Sequence, residues 1–233
     1  MRTVEQSWLD KGVAKITLNR PHVKNAVNFD MLENLEIVLD QLERDKTLQA
    51  VLICGAGETF CSGGDLNDFH TLAGGADVYD HMLKPMMDQL YRIAFLPCPV
   101  TAFVEGAAIG GGAELAMACD KVILTPASKV GFIQVKLGIQ TGWGGAELLS
   151  RHVDHKTVFE MLSTGELYSA NDLEQKGLTV KASIPSVADL KNVHKKRADE
   201  TMYQAMKMEA LTCSRSWGSE KHGEMIRLFL DRQ

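Results

Sequence analysis

The sequence predicts an α/β fold in which strands and helices alternate and wind into a spiral of β-β-α turns. Apolar runs at 50–54 and 100–104 indicate two short buried strands. Ahead of each strand, apolar residues recur at helical spacing, over 28–45 and 77–96. Such an alternation requires crossover connections, which are nearly always right-handed, so a spiral is the expected product.

A β-hairpin is predicted to open the chain. Residues 3–8 and 12–18 alternate between apolar and polar side chains around an Asp10-Lys11-Gly12 turn. The first helix then begins after Asn28, whose side chain can cap it, and its apolar stripe ends near Asp45. The hairpin and this helix therefore precede the first buried strand.

The second helix is predicted over Asp77 to Leu96. Pro97 and Pro99 stop it, because proline has no N–H to donate within a helix. The strand at 100–104 and another at 121–125 follow, and helical patterns dominate beyond them.

A boundary is expected near residue 185. Pro185 and Ser186 precede a charged amphipathic segment at 187–211. We therefore divide the chain into a core, 1–185, and a C-terminal helical segment, 186–233.

Composition restricts the classes of function. The 233 residues are 45% hydrophobic and 24% charged, which is enough to bury a substantial core. A net charge of −5 without a long Lys/Arg run argues against nucleic-acid binding and against a membrane-surface role. Five scattered cysteines indicate reduced thiols, with neither a disulfide framework nor a metal site. No signal peptide and no membrane-length apolar run is recognisable, so a cytoplasmic location is expected.

Three consecutive glycines, Gly110 to Gly112, lie between the strand at 100–104 and an apolar helical run. Without Cβ atoms, such a loop lets a ligand approach the main chain, and a helix N-terminus adds unpaired N–H donors and a positive dipole end. Glu114 falls in the first turn of that helix. The stretch therefore suits a negative oxygen beside a carboxyl group.

A second loop of small residues, at 60–66, follows the strand at 50–54. If each loop contributes one backbone N–H, the pair can stabilise a thioester oxygen as it gains charge. In well-studied enzymes such a donor contributes roughly 3–4 kcal/mol.

The joint spacing of these motifs resembles the crotonase, or enoyl-CoA hydratase/isomerase, superfamily. The matching segments are Ile16–Pro21 with Asn25-Ala26, Phe60–Leu66, and Glu105–Asp120. The resemblance implies the family's ββα spiral with C-terminal helices that cover the active site and pack between subunits, in a homotrimer or hexamer. It also implies an acyl-CoA or acyl-carrier thioester substrate with no separate cofactor, since coenzyme A is part of the substrate. The oxyanion donors would be the N–H groups of Gly64 and Gly111.

The resemblance also implies a set of substrate-binding positions. Trp143 is equally consistent with a wall of the acyl pocket and with core packing. Asp65 is more readily explained as the cap of the next helix than as a reacting group, and Cys61 has no neighbouring base that would make it a nucleophile. The full set is Val23, Lys24 and Ala26 along the pantetheine path, Cys61, Ser62, Gly63, Asp65 and Leu66 in the second loop, and Thr141 and Trp143.

The carboxylates decide which reaction is expected. Hydratases of the family use two glutamates, of which the first corresponds to Glu114 and the second aligns with Gln134. An amide can hold a ligand but cannot transfer that proton, so neither hydration nor double-bond isomerisation is favoured.

Loss of CO2 from a malonyl-type thioester needs no general base, because breaking the C–C bond itself leaves an enolate, which one acid then protonates. A neutral Gln134 would avoid repelling the substrate carboxylate. The Trp-Gly-Gly sequence at 143–145 also resembles the branch that decarboxylates malonyl-CoA derivatives, including ethylmalonyl-CoA decarboxylase. The helix N-terminus should favour ionised Glu114, which would have to lie on the opposite face from the substrate carboxylate.

Three hypotheses remain open. The chain is a decarboxylase of a short malonyl-CoA derivative with Glu114 as acid/base, which we favour, or a hydratase/isomerase that uses a single glutamate. The third is a non-catalytic acyl-CoA-binding scaffold. The catalytic set comprises Glu114, Gly64, Gly111 and Gln134.

Overall fold

The computed structural model of the chain describes residues 2–69, 71–72, 74–180, 183–196 and 198–231. Within these residues, six strands form the main sheet in the order β1-β2-β3-β4-β6-β9. The first pair is antiparallel, and all other neighbours are parallel, as crossover connections require. The strands are β1 (Val4–Asp10), β2 (Val13–Leu18), β3 (Ala50–Gly55), β4 (Val100–Val104), β6 (Lys121–Leu124) and β9 (Thr179–Val180).

A second sheet of three strands, within the described part of the chain, has the order β5-β7-β8. These strands are β5 (Ala107–Ile109), β7 (Lys129–Gly131) and β8 (Tyr168–Ser169). The sequence analysis missed all three because two or three residues carry no recognisable period. Helices dominate beyond residue 125, as predicted, but the short strands β7, β8 and β9 also lie there.

The helices occupy the expected places. Asn28 caps the first of them by accepting a hydrogen bond from the N–H of Met31, as predicted. No helix in the described ranges has both the length and the apolarity needed to cross a bilayer. The helices are α1 (Phe29–Arg44), α2 (Leu66–Phe69), α3 (Gly75–Val78), α4 (Lys84–Phe95), α5 (Gly111–Ala118), α6 (Gly145–Ser150), α7 (His155–Thr164), α8 (Ala170–Gln175), α9 (Val187–Lys191), α10 (Glu200–Ser216) and α11 (Glu220–Leu230), with 3-10 turns at Pro21–Val23 and Ile133–Leu137.

Two predicted helices differ in detail from the structure. The helix predicted over 77–96 consists of α3, a π-helical turn at Tyr79–Leu83 and α4, which ends at Phe95 with Leu96 as its C-cap. The single amphipathic segment predicted at 187–211 is divided between the short α9 and the long α10. Helix α10 packs against α3, α4 and α6, and α11 packs against the 3-10 turn at 133–137, so these C-terminal helices lie directly on the core.

Asp120 attaches the chain ahead of α10 to the core. Its carboxylate is buried and accepts hydrogen bonds from the N–H of Val100, at 2.8 Å, and from the guanidinium of Arg151, at 3.2 Å. It also accepts hydrogen bonds from the ammonium of Lys195, at 3.0 Å, and from the N–H of Lys196, at 2.8 Å. This one carboxylate therefore joins β4, the residue that follows α6, and the segment that leads into α10.

We expect Asp120→Ala to lower the free energy of unfolding by about 3–5 kcal/mol, because it leaves the buried guanidinium of Arg151 without its counter-charge. Urea titration followed by circular dichroism measures the effect. Asp154→Ala is the matched control: Asp154 is an exposed N-cap of α7, and its loss should cost about 1 kcal/mol. Equal losses in the two variants would contradict the role assigned to Asp120.

Candidate active site

A cavity of about 530 Å³ opens between the two glycine loops and the C-terminal helices. One side is formed by residues 62–67 and by Ile109 to Gly111. The 3-10 turn at 133–137 forms another wall, and Cys213, Trp217 and Phe229 reach the cavity from α10, the turn after it and α11. Both predicted loops therefore meet at one cavity, which the C-terminal helices help to enclose.

Backbone hydrogen bonds lock the two loops together. The N–H of Cys61 donates to the carbonyl of Ala107, at 3.1 Å, and the N–H of Ile109 donates to the carbonyl of Cys61, at 2.9 Å. On the outer side of the 60–66 loop, the carbonyl of Gly63 and the N–H of Asp65 both bond to Val27. Both Gly64 and Gly111 line the cavity, and their N–H groups are not used by the hydrogen bonds of the described residues.

The glycines in these loops are required by close packing. A Cβ on Gly63, whose φ is +99°, would lie 3.2 Å from the amide nitrogen of Gly111. A Cβ on Gly111 would overlap the indole ring of Trp143, and one on Gly112 would overlap the carbonyl of Cys61. A Cβ on Gly64 would lie 3.7 Å from the same indole ring. Trp143 therefore packs against both glycines that carry the candidate donors.

Trp143 is both core and cavity wall. The side chain is 4% exposed, and its ring N–H donates to the sulfur of Met82 at 3.2 Å. It also lines the cavity. The two alternatives left open by the sequence are thus both true, because a ring of this size has one edge in the core and one on the wall.

Arg20 and Asn25 hold the loop at 20–27 against the glycine loop at 60–66. The guanidinium of Arg20 donates to the carbonyl of Ala26, at 2.6 Å, and to the carboxylate of Asp65, at 2.9 Å. Asn25 is fully buried and donates to the carbonyls of Ala56 and Thr59. Asp65 also accepts from the N–H of Asn67, in keeping with its predicted capping role. These contacts place the predicted pantetheine path beside the candidate oxyanion donors.

Glu114 lies in the first turn of α5, as predicted, and is only 2% exposed. Its Oε1 accepts hydrogen bonds from the N–H groups of Trp143 and Gly145, both at 2.9 Å, and its Oε2 accepts from Nε2 of Gln134, at 2.7 Å. Burial away from water, reinforced by the nearby carboxyl of Glu209, raises the pKa of Glu114 to about 8, although these three donors oppose the shift. The helix N-terminus was expected to favour ionised Glu114, and burial acts in the opposite direction.

Gln134 is buried next to Glu114 in the cavity wall. Its Nε2 bonds to Glu114, while its Oε1 is buried without a partner in the described residues. Rotating the amide by half a turn would present Oε1 to a protonated Glu114 and Nε2 to the other side. Gln134 can thus bind either protonation state of Glu114 without itself carrying a charge.

Most of the predicted site residues surround the cavity. Cys61 and Thr141 do not line it: Cys61 is fully buried behind the loop, where burial raises the pKa of its thiol to about 12, and Thr141 is buried with its methyl group towards Gly145. The cavity wall includes Val23, Lys24, Ala26, Ser62, Gly63, Gly64, Asp65, Leu66, Gly111, Glu114, Gln134 and Trp143.

Comparison with known proteins identifies the family. The family model described as enoyl-CoA hydratase/isomerase matches residues 9–216, which is most of the chain. The chain belongs to the enoyl-CoA hydratase/isomerase family. A probable enoyl-CoA hydratase of Bacillus subtilis is 31% identical over 97% of this chain and 95% of its own length.

Other members of the enoyl-CoA hydratase/isomerase family are similar over part of their length. An ethylmalonyl-CoA decarboxylase of Gallus gallus is 38% identical over 65% of this chain, and the match spans only 51% of that relative. The crystal structure of an enoyl-CoA hydratase from Bacillus anthracis superposes with a TM-score of 0.72 at 30% identity, covering 77% of this chain and 70% of that one. The fold predicted from sequence is thereby confirmed.

Several cavity residues of this family member were missed by the sequence analysis. Met82 and Leu83 belong to the π-helical turn, and Cys213 to α10. Glu209, also on α10, lies beside Glu114 without lining the cavity. Nothing in the sequence pairs these positions with the loops, because only tertiary packing brings them together. Among the described residues, no group of three or more His, Cys, Asp or Glu side chains is placed to bind a metal ion.

We expect Gly111→Ala to destabilise the protein by about 1–3 kcal/mol, because the new methyl group must displace the indole of Trp143. Denaturant unfolding measures the loss, and the same substitution in a Trp143→Leu background should cost less. Gly223→Ala serves as a control, since nothing lies near that position in α11 and alanine favours a helix. An equal cost of Gly111→Ala in both backgrounds would show that the ring is not the obstacle.

Proposed function

We propose that this chain decarboxylates a short malonyl-CoA derivative. The observation that carries the proposal is a buried carboxyl group, Glu114, paired with the amide of Gln134 in a cavity where two backbone N–H groups are available. Burial raises the pKa of Glu114 to about 8, which favours the neutral acid at pH 7. The wall therefore offers donors for a developing oxyanion and a proton for a carbanion.

The reaction needs few groups. The thioester oxygen accepts hydrogen bonds from the N–H groups of Gly64 and Gly111, each contributing roughly 3–4 kcal/mol as charge develops. The bond between the α-carbon and the carboxylate breaks, CO2 leaves, and the electron pair forms the enolate. Glu114 then gives its proton to the α-carbon and afterwards regains one from solvent.

A neutral pair also suits a substrate that carries its own carboxylate. A negative charge in the wall about 5 Å from the substrate carboxylate would repel that carboxylate by about 3 kcal/mol at an effective dielectric constant of 20. Protonated Glu114 and the amide of Gln134 both avoid this repulsion. The difficulty that the sequence raised, an ionised Glu114 beside the substrate carboxylate, is removed by burial.

Hydration is supported less well by this geometry. Two carboxyl groups must share the work of positioning the water and moving its proton, and Gln134 cannot take up or release a proton. Glu209 does not replace the missing acid, because it lies behind the loop at 142–146 and not on the cavity wall. Similarity to the Gallus gallus ethylmalonyl-CoA decarboxylase agrees with the choice of decarboxylation.

The cavity also suits a short acyl group. Trp143, Met82 and Leu83 are buried side chains in its wall, which gives the acyl group an apolar surface. On the other side, Val23, Lys24 and Ala26 line the way out, and the ammonium of exposed Lys24 is suited to a phosphate of coenzyme A. The acyl group thus enters first and the nucleotide stays near the surface.

Incubation with ethylmalonyl-CoA, methylmalonyl-CoA and crotonyl-CoA in parallel tests the proposal. We expect CO2 release from at least one malonyl derivative, with little addition of water to crotonyl-CoA. Turnover of crotonyl-CoA alone would show a single-glutamate hydratase. Binding of all three without turnover would show a scaffold, and either result overturns the proposal.

Gln134→Glu tests whether the side chain beside the substrate carboxylate must be uncharged. We expect CO2 release to fall about 100-fold in kcat/KM, because a repulsion of about 3 kcal/mol corresponds to two powers of ten in rate, while hydration of crotonyl-CoA should rise. Gln140→Glu adds the same charge at an exposed position on the rim and should leave kcat within about threefold. Equal effects of the two variants would argue against a special role for Gln134.

A further inference from the structure

Helix α10 lies against the Trp-Gly-Gly loop so closely that side chains on the loop are excluded. A Cβ on Gly142 would lie 2.8 Å from the sulfur of Cys213, and one on Gly144, whose φ is +96°, would overlap Met206. Met206, Glu209 and Cys213 recur at helical spacing and form one face of α10. The glycines of this motif therefore let a C-terminal helix reach the back of the candidate active site.

Glu209 on this face bonds to the same backbone turn as Glu114. The N–H of Gly145 donates to Oε1 of Glu114 at 2.9 Å, and the N–H of the next residue, Ala146, donates to the carboxylate of Glu209 at 3.2 Å. Two acidic side chains are thus held by successive amides at the start of α6. A Cβ on Gly145 would lie 2.9 Å from the carboxylate of Glu114, so glycine also permits this approach.

We propose that Glu114 and Glu209 form a coupled carboxyl pair that shares one proton at neutral pH, so that α10 controls the ionisation of the acid in the cavity wall. Two like charges held by neighbouring amides of one turn, with Glu114 buried and Glu209 half-buried, cannot both be ionised without a cost. Only the use of that proton rests on the proposed function. The pair itself is independent of which thioester reacts.

The charged groups around Glu114 and Glu209 are consistent with one shared proton. Burial raises the pKa of Glu209 to about 7, and its negative charge in turn raises the pKa of Glu114. The other titratable groups that face the pair are Glu147 on α6, which is acidic, and the thiol of Cys213, which donates to a backbone carbonyl. Among the described residues, no lysine or arginine forms an ion pair with either carboxylate.

On the helices packed against α10 there is a further charged group. Lys84 and Asp88 of α4 pair with each other at 2.6 Å, and Asp88 accepts a hydrogen bond from Tyr203. Tyr203 precedes Glu209 by six residues, which is about 9 Å along the helix. The charges on α4 therefore belong to a separate contact.

The ionisation of each carboxyl can be measured directly by NMR on protein labelled with carbon-13 at the glutamate carboxyl carbon. Glu114→Gln and Glu209→Gln assign the two signals. In the unmodified protein we expect Glu114 to titrate above pH 7. In Glu209→Gln its pKa should fall by about one unit or more, because the like charge is gone. A purely structural role for Glu209 would not move this value.

The matched control is Glu147→Gln, which removes a negative charge from α6 outside the pair and should shift the pKa of Glu114 by no more than a few tenths of a unit. Coupling is reciprocal, so Glu114→Gln should lower the pKa of Glu209 by a similar amount, and this second variant keeps the test valid if Glu209→Gln fails to fold. Titration of Glu114 near pH 4 in the unmodified protein would overturn the proposal. An unchanged pKa in a folded Glu209→Gln variant would do the same, whichever substrate the enzyme proves to use.

Discussion

The candidate active site depends on the contact between the indole of Trp143 and the bare backbone of two glycine loops. The ring lies against Gly64 and Gly111 and occupies the volume that a Cβ on Gly111 would need. The backbone N–H of the same residue bonds to Glu114. One tryptophan therefore fixes the two candidate oxyanion donors with its side chain and the candidate acid with its main chain, so the two halves of the site are set relative to each other.

Burial gives this arrangement its chemistry. A glutamate in the first turn of a helix is ordinarily stabilised as an anion, and here three further N–H groups donate to it. Removal from water and the neighbouring Glu209 nevertheless raise its pKa. Burial is the larger cause, and Glu209 on the C-terminal helix α10 adds to it, although that helix supplies little of the cavity wall.

The sequence alone predicts those elements and site residues whose signal lies in neighbouring residues of the chain. Asn28 and the apolar stripe behind it defined α1 closely, and the two glycine loops with Glu114 and Gln134 were predicted to surround one pocket, as they do. Strands of two or three residues were missed because they depend on partners distant in the chain. Glu209 was missed for a related reason: an acid on an amphipathic helix is ordinary, and only the fold places this one beside Glu114. The sequence analysis considered the helix N-terminus at Glu114 but not its burial, which raises the pKa, because local sequence does not show how deeply a side chain is buried.

The attachment of the C-terminal segment through Asp120 bears on how the enzyme becomes competent during synthesis. Both donor loops and Glu114 emerge from the ribosome well before Lys195, Lys196 and Glu209. The negative charge of Glu209, which raises the pKa of Glu114, can therefore act on it only after α10 has docked. Until that contact forms, a newly made chain has both donor loops but lacks the complete electrostatic surroundings of its candidate acid.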